Sequence, residues 1–447
     1  MMRMSGRWAA IALIGLAAAV PAQAQSSQPA LEGPAESLRY TIRKGDTLFD
    51  LAMRYFTRLE DYHAVQRLNR IADPYRIPIG RVITVPMRLV RTEPLSARLV
   101  AARGTVRVWN EMRDLPVSVG MPLAIGTRLE TGGDGFLTIA LPNGSRTTLP
   151  TRSALVIRQL RHIPLIDAVD YDLEVAAGKV ETQATPIRPD KGDFRVRTPR
   201  AVSAVRGTRF RVGYDAAERS SAEVLDGTVA VGVAGGRRGD TGTFIEAGFG
   251  AYVAADGAVA REALLPPVAL IEPGKVQTGM EVVLALEPVP AAQAYHVQIG
   301  ADAGFVDMVA EQRVTEPAVH FTDIANGNWF VRATAISASG LEGLYQSYAM
   351  KRRLATLDAS AQGDLASMRF RWSGAGEGRR AYRFQMTGDD PAALPIVDEG
   401  GLGDEGLEMR NLKPGIYHWR VGVRQFSDGE MVETWLPFEK LIVSPGR

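Results

Sequence analysis

"DFRVRTPRAVSAVRGTRFRVGY", residues 193–214, sets the pattern for the largest part of this chain. In its first run Phe194 and Val196 fall on one side and Arg195 and Arg197 on the other. In its last run Phe210, Val212 and Tyr214 oppose Arg209 and Arg211. That is the period of a half-buried strand, whose successive side chains point to opposite faces. Between the runs, "AVSAVRG" supplies small and β-branched residues and then Gly207, able to take a positive φ. The arginines, with Arg200 and Arg206 close by, are expected on the solvated side of these strands; an anion-binding patch is the alternative.

The same grammar extends from about residue 98 to 262, where helical periodicity is missing. "FLTIALPNGSRTTL" alternates Leu137, Ile139 and Leu141 and then turns at Asn143-Gly144, a strong hairpin signal. Asp226-Gly227, between "AEVL" and "TVAV", and Asp256-Gly257, between "YVAA" and "AVA", suggest the same device. A mostly antiparallel β domain is expected over 98–262. The opening stretch also resembles the hallmark of the FecR-type domain, F-x-V-x-T-P-x-A-x-x-A-V-R-G-T-x-F-x-V, satisfied from Phe194 through Thr198, Pro199, Arg206, Gly207, Thr208 and Phe210. With "GMPLAIGTRLETGGDGFLTIALPNGSRTTLPTRSALVI" upstream and "LDGTVAVG" downstream, the resemblance spans roughly residues 101–255. It implies a part played in periplasmic signal transduction to iron-uptake regulators. The cytoplasmic anti-sigma segment and spanning helix of such regulators have no counterpart in this sequence, which sets that role against the domain match.

Residues 38–90 read differently. Leu48, Leu51, Ala52 and Tyr55 lie at the spacing of one helix face, and Thr47 with Asp50 three residues on suggests a capping box after the Gly45-Asp46 turn. A shorter helix carrying Val65 and Leu68 should stop near Asn69, and a closing strand should run from Val82 to Val85. This β-α-α-β order, the "YTIRKGDTLFDLA" opening and the "IPIGRVITVP" close resemble a LysM domain. The resemblance implies binding of peptidoglycan, a glycan containing N-acetylglucosamine, in a shallow groove between two loops. By position these are Gly45, Asp46, Thr47 and Leu48 in one, and Ile71, Tyr75, Ile77, Pro78 and Ile79 in the other. Asp46 and Thr47 are suited to hydrogen-bonding hydroxyl and acetamido groups, and Tyr75 and Ile77 to covering a sugar face. The bland alternative makes Gly45 and Asp46 turn and cap residues only.

After Pro266-Pro267 an internal repeat begins. "AYHVQIGAD" (294–302) corresponds to "AYRFQMTGD" (381–389), and "GNWFVRATA" (327–335) to "GIYHWRVGV" (415–423). Short alternating strands with turn residues between them give two immunoglobulin-like β-sandwiches, 266–353 and 354–447, which resemble fibronectin type III modules. Trp329, Tyr417 and Trp419 are expected in their cores rather than at a binding surface.

The fold class expected for the whole is mainly β and multidomain. Arg3 and Arg7, the apolar stretch from Trp8 to Val20 and Ala22-Gln23-Ala24 have the form of a cleaved secretory signal over 1–24, followed by a polar linker over 25–37. The chain has no Cys, hence no disulfide, lipid-attachment thiol or thiolate nucleophile, and its formal net charge is only +2. The five histidines, His63, His162, His296, His320 and His418, show no i, i+4 metal spacing, and no phosphate-binding, dinucleotide or nucleophile-elbow motif occurs. The reading is a non-catalytic periplasmic envelope protein, without cofactor or metal, that holds peptidoglycan and presents β surfaces to another envelope protein. Neither nucleic acid nor integration into the membrane is expected. The alternatives are a FecR-type signalling regulator and a wall hydrolase with an unrecognised carboxylate pair.

Overall fold

The computed structural model describes residues 37–444 except 112, 189–190, 206, 236–241, 255, 404–405 and 428. The signal-like segment, nearly all of the linker and Arg206 therefore lie outside the described residues. What is described is mostly β, with 55% strand and 5% helix arranged around several sheets.

The first module pairs strand Ser37–Thr41 antiparallel with Val82–Pro86 and packs two helices on them, α1 (Leu48–Tyr55) and α2 (Tyr62–Leu68). Thr47 Oγ1 accepts from Asp50 N at 3.0 Å and donates to Asp50 Oδ2 at 2.7 Å, so the cap begins α1 where the sequence placed it. Leu48, Leu51 and Ala52 are buried. On α2, Val65 is buried but Leu68 is exposed, contrary to its expected place on the apolar face: the helix ends there, before another turn could cover it. The core is completed from outside the module by Ile163 and Leu165, at the tip of a hairpin of the next region.

That region is a barrel of strands enclosing one large core. Phe194, Val196, Phe210 and Val212 all point into it, as the alternation requires. Its longest strand, Ala168–Gln183, begins beside Ala154–Ile163, and from Gly178 onward it pairs with Arg209–Tyr214. Because this strand crosses from one sheet to the other, the chain must return, and Gly192–Arg197 comes to lie parallel to its first half. The domain is thus not wholly antiparallel. Asn143-Gly144 and Asp256-Gly257 join paired strands. Asp226-Gly227 does not: Ser220–Asp226 pairs with Arg209–Tyr214 and Phe249–Val253, while Thr228–Val233 pairs with Ala201–Val205 and Thr243–Glu246. Gly227, at φ 84°, makes a corner between sheets rather than a hairpin.

Two sandwiches follow. In the first, Val282–Ala285 and Ala318–Phe321 face a sheet ordered Met308–Val314, Ala294–Gly300, Gly327–Ile336, Gln346–Arg352. In the second, Trp419 is buried among Phe370 and Phe384, and Trp329 and Tyr417 pack partly buried against their cores.

The barrel and the first sandwich meet through faces that alternation marks as polar. Arg211, only 3% exposed, is not on a solvated face. Its Nε lies 3.3 Å from Glu181 Oε2, and its Nη1 donates to the carbonyls of Glu342 and Gly343 at 3.3 and 3.1 Å. Arg209 Nη1 donates to Tyr345 Oη at 3.1 Å. Arg332 of the sandwich reaches back to Glu181, at 2.9 Å, and to Gln298 Oε1, at 2.7 Å. Beside them Lys179 sits 2.7 Å from Glu223 and 3.2 Å from Glu342, and buried His296 lies between Glu311, at 3.0 Å, and Glu342, at 3.2 Å. Among the described residues, the other arginines of the opening stretch are also paired: Arg195 with Asp170, Arg197 with Asp172 and Arg200 with Glu218. A solvated stripe was expected; the second module buries Arg211, whereas Arg195, Arg197 and Arg200 stay partly exposed and are paired with acidic neighbours.

Phe210→Ala should cost ~3–5 kcal/mol as a large buried truncation. Arg211→Gln should cost a comparable ~3–5 kcal/mol, because it leaves Glu181 buried with one cation fewer. Denaturant unfolding of both variants checks this; an Arg211→Gln protein as stable as the parent would put that side chain back in solvent.

The seam also predicts a pH profile. Burial alone would raise Glu181, but Arg332 and Arg211 hold it down at about 2, and Glu311 is likewise held at about 2 against its burial by His296, Thr151 and Gln298. Their stabilisation is present above the ordinary glutamate value of 4.5 and is lost as pH falls toward 2. Burial would lower His296, yet Glu342 and Glu311 raise it, so its contribution is complete below 6.5 and disappears as pH rises through the higher folded value. Melting temperatures of parent and His296→Gln should therefore converge at alkaline pH and separate most near and below pH 6.5. A pH-independent gap between them would contradict this.

Candidate glycan-binding groove

The two loops nominated by sequence do lie together, joined by a bond from Leu48 N to the Pro74 carbonyl at 2.9 Å. Gly45, at φ 90° with open space where a Cβ would stand, forms the first turn. Asp46 Oδ2 accepts from Tyr40 Oη and from Arg43 N, both at 2.8 Å, and Arg54 lies 3.8 Å from its other oxygen. The Asp46 bond and the burial that comes with it push the Tyr40 hydroxyl up to about 12, burial being the larger cause. Thr47 is engaged by Asp50. Asp46 and Thr47 therefore shape the loop with their side chains.

The second loop divides by exposure. Leu48, Ile71 and Ile77 are buried in the module's core and cannot lie against a sugar with their side chains. For Ile77 this corrects the expectation drawn from the sequence: apolar character alone did not distinguish a core residue from a platform. Tyr75 is 58% exposed, Ile79 68%, and Pro78 is exposed. Tyr75 N donates to Asp73 Oδ1 at 2.9 Å, and its ring sits 6.3 Å from Phe49, which lies 6.1 Å from Tyr62 in an edge contact. Phe49 and Tyr62 were not nominated, though both sit in or beside the helical stretch that was read; their half-burial, invisible in sequence, makes them the wall behind Tyr75.

The groove is braced from below by Asn69. Its Nδ2 donates to the carbonyls of Val65 and Thr84 at 2.8 and 2.7 Å, and its Oδ1 accepts from Thr84 N at 2.7 Å. One side chain thus ends α2 and fixes the closing strand, which sets where the second loop departs.

That architecture agrees with comparison to known families. Residues 36–87 match the family model of the NFP LysM2 domain. Residues 127–230 match the model of the FecR protein family. LysM and FecR are non-catalytic binding or regulatory domains. Among solved structures, those of a candidate anti-sigma factor from Parabacteroides distasonis are 18% identical, at a TM-score of 0.24, over 30% of this chain and 59% of that one. A two-domain fibronectin type III segment of chicken tenascin is 12% identical, at a TM-score of 0.19, over 39% of this chain and 98% of the segment. The chain spans less than two thirds of the length of the first of these. No curated protein matches it.

Asn69→Ala should destabilise the LysM-type module by ~1–3 kcal/mol for the buried groups it leaves unpaired. Tyr75→Ala, at an exposed position, should change stability by less than ~0.5 kcal/mol. Thermal unfolding of the pair distinguishes the brace from the surface; equal losses would show that Tyr75 is structural.

Proposed function

We propose that this chain is a non-catalytic protein of the bacterial periplasm that holds peptidoglycan through its LysM-type module and presents the FecR-type barrel and the sandwiches to another envelope protein. The observation that carries this reading is the LysM match together with an exposed Tyr75-Pro78-Ile79 surface beside the Gly45 turn. Among the described residues no helix is long and apolar enough to cross a membrane. We read the modules as 38–90, 98–262, 266–353 and 354–447, with the N-terminal 1–24 as the export signal. Glycan contacts would come from backbone at Gly45–Leu48 and from Tyr75, Pro78 and Ile79, while Ile71, Ile77 and Leu48 support them from the core. The FecR match favours envelope signalling as the second reading, in which the barrel relays a binding event to its partner.

A single shallow groove of this kind binds weakly, so retention requires a polymer with many sites. The test is co-sedimentation with purified sacculi at low and high salt. The mature chain should pellet at both, because the contacts are hydrogen bonds and packing rather than charge pairs, and Tyr75→Ala should pellet roughly tenfold less, as for a lost ring-face contact of about 1.4 kcal/mol. Undiminished pelleting of a chain lacking 38–90 would remove the module from the role.

A further inference from the structure

A cleft of about 1020 Å³ opens where the barrel meets the first sandwich. Its walls carry Arg152, Lys179 and Arg219 from the barrel and Arg313 from the sandwich, with the hydroxyls of Ser221 and Tyr252 between them. Two carboxylates also line it, and both are already engaged. Glu311 accepts from Thr151 N and Oγ1, at 2.9 and 2.6 Å, and from His296 and Gln298. Asp215 accepts from Arg219 Nε and from the backbone of Ala217 and Arg219, at 2.9, 2.9 and 3.0 Å. Lys179 is held by Glu223 and Glu342, and Arg313 pairs with Glu342 at 2.5 Å while remaining 52% exposed.

Arg152 differs from the others. Among the described residues its guanidinium has neither an ion pair nor a side-chain hydrogen bond, and it is exposed. Its backbone is held at φ 52°, a conformation that costs free energy in a residue other than glycine. The surrounding turn over-determines that conformation. Arg152 N donates to the Gly132 carbonyl at 2.9 Å, Ser153 N to Thr131 Oγ1 at 3.0 Å, and Thr131 Oγ1 to the Pro150 carbonyl at 2.5 Å. A Cβ on Gly178 would come within 2.4 Å of the Arg152 carbonyl, so the neighbouring strand can pass only as glycine. The braced turn fixes where the Arg152 side chain leaves the backbone, and its exposed guanidinium has, among the described residues, no internal partner to give up when a ligand arrives. Guanidinium matches a carboxylate in two parallel hydrogen bonds. The cleft is at the upper end of the ~300–1,000 Å³ typical of ligand sites, too large for a lone ion.

We propose that this cleft binds a peptide bearing free carboxylates, with Arg152, the cation without an internal partner, as the first contact and Arg219 and Arg313, each already paired, as secondary ones. The choice of a peptide rests on the wall-associated location proposed above, since stem peptides of the wall carry such carboxylates. Protein segments carry them too, and the test distinguishes the two sources.

The full mature chain is titrated by calorimetry with two sugar-free probes: the wall stem tripeptide L-Ala-γ-D-Glu-diaminopimelate, and the all-L tripeptide Ala-Glu-Asp. Binding of either, weakened by salt, is the expected result, and the tighter probe names the source. Arg152→Asn, a residue that tolerates positive φ, should weaken binding roughly tenfold, the scale of one lost charge-assisted pair. Arg219→Gln, on an exposed loop, should weaken it by a smaller factor and serves as the second variant if the first unfolds. Failure of both probes to bind, or unchanged binding in both variants, overturns the proposal. Because neither probe contains sugar, the result is independent of whether the LysM-type groove holds glycan.

Discussion

Glu181 is the point on which the arrangement of barrel and sandwich depends. It stands on the barrel's longest strand, and cations from both modules meet on it, Arg211 from the barrel and Arg332 from the sandwich. Burying carboxylates and guanidinium groups carries a desolvation penalty that their mutual attraction offsets only with good geometry and saturated hydrogen bonds. The seam approaches that condition through carbonyls as well as charges: Arg211 takes two, and Glu342, whose own amide donates to Glu223 at 3.3 Å, receives Lys179, His296 and Arg313. Such a network adds little net stability relative to an apolar seam, but a rotated or shifted docking would leave several charges buried and alone. Apolar contact at its margin, Phe136 with Phe305 and Met308, and the bidentate pair of Arg103 with Asp307, extend the same docking.

The internal repeat shows what the seam adds. Arg332 with Gln298 in the first sandwich corresponds to Arg420 with Gln385 in the second, where Arg420 Nε and Nη2 donate to Gln385 Oε1 at 2.9 and 2.7 Å. In the second sandwich that pair is covered from within the module, by Trp435 and Phe438 whose rings lie 4.5 and 4.4 Å from the guanidinium carbon of Arg420. In the first, Arg332 likewise lies over aromatics of its own module, 4.3 Å from the Phe305 ring and 4.6 Å from that of Tyr345, and it pairs in addition with the barrel's Glu181. Position 296 carries the histidine of the buried cluster, whereas its counterpart Arg383 makes a partly exposed pair with Asp398. The two sandwiches thus share an aromatic cover over this arginine, and the first adds to it an ion pair with another module.

Period-two alternation was enough to identify the strands and assign Phe194, Val196, Phe210 and Val212 to the core, and the matching segments at 294–302 and 381–389 located the repeat. Alternation could not say what lies on the polar side. His296, Gln298, Arg332 and Arg211 look like solvent-facing residues because alternation reports only which face is apolar, and a polar face is equally consistent with water or with a partner of matched charge. Asp226-Gly227 failed for a related reason: a two-residue turn signal fixes a local reversal, not which sheet the next strand joins. In the first module the cap, helix face and closing strand were all legible, as local interactions within a few residues. Leu68 and Ile77 were not: Leu68 is the last residue of its helix, and Ile77 lies in an irregular loop without the periodicity that marks a buried face.

In the proposed function glycan is held by the loop pair of the LysM-type module and not by the arginine-bearing strands, whose described arginines are paired internally. Amide chemical-shift mapping with a chitin tetrasaccharide on isotopically labelled mature chain tests it most directly. Saturable shifts are expected at Gly45, Thr47, Tyr75 and Ile79, with Arg195, Arg197, Arg209 and Arg211 unmoved. Shifts centred on those arginines with the loop pair silent would contradict it.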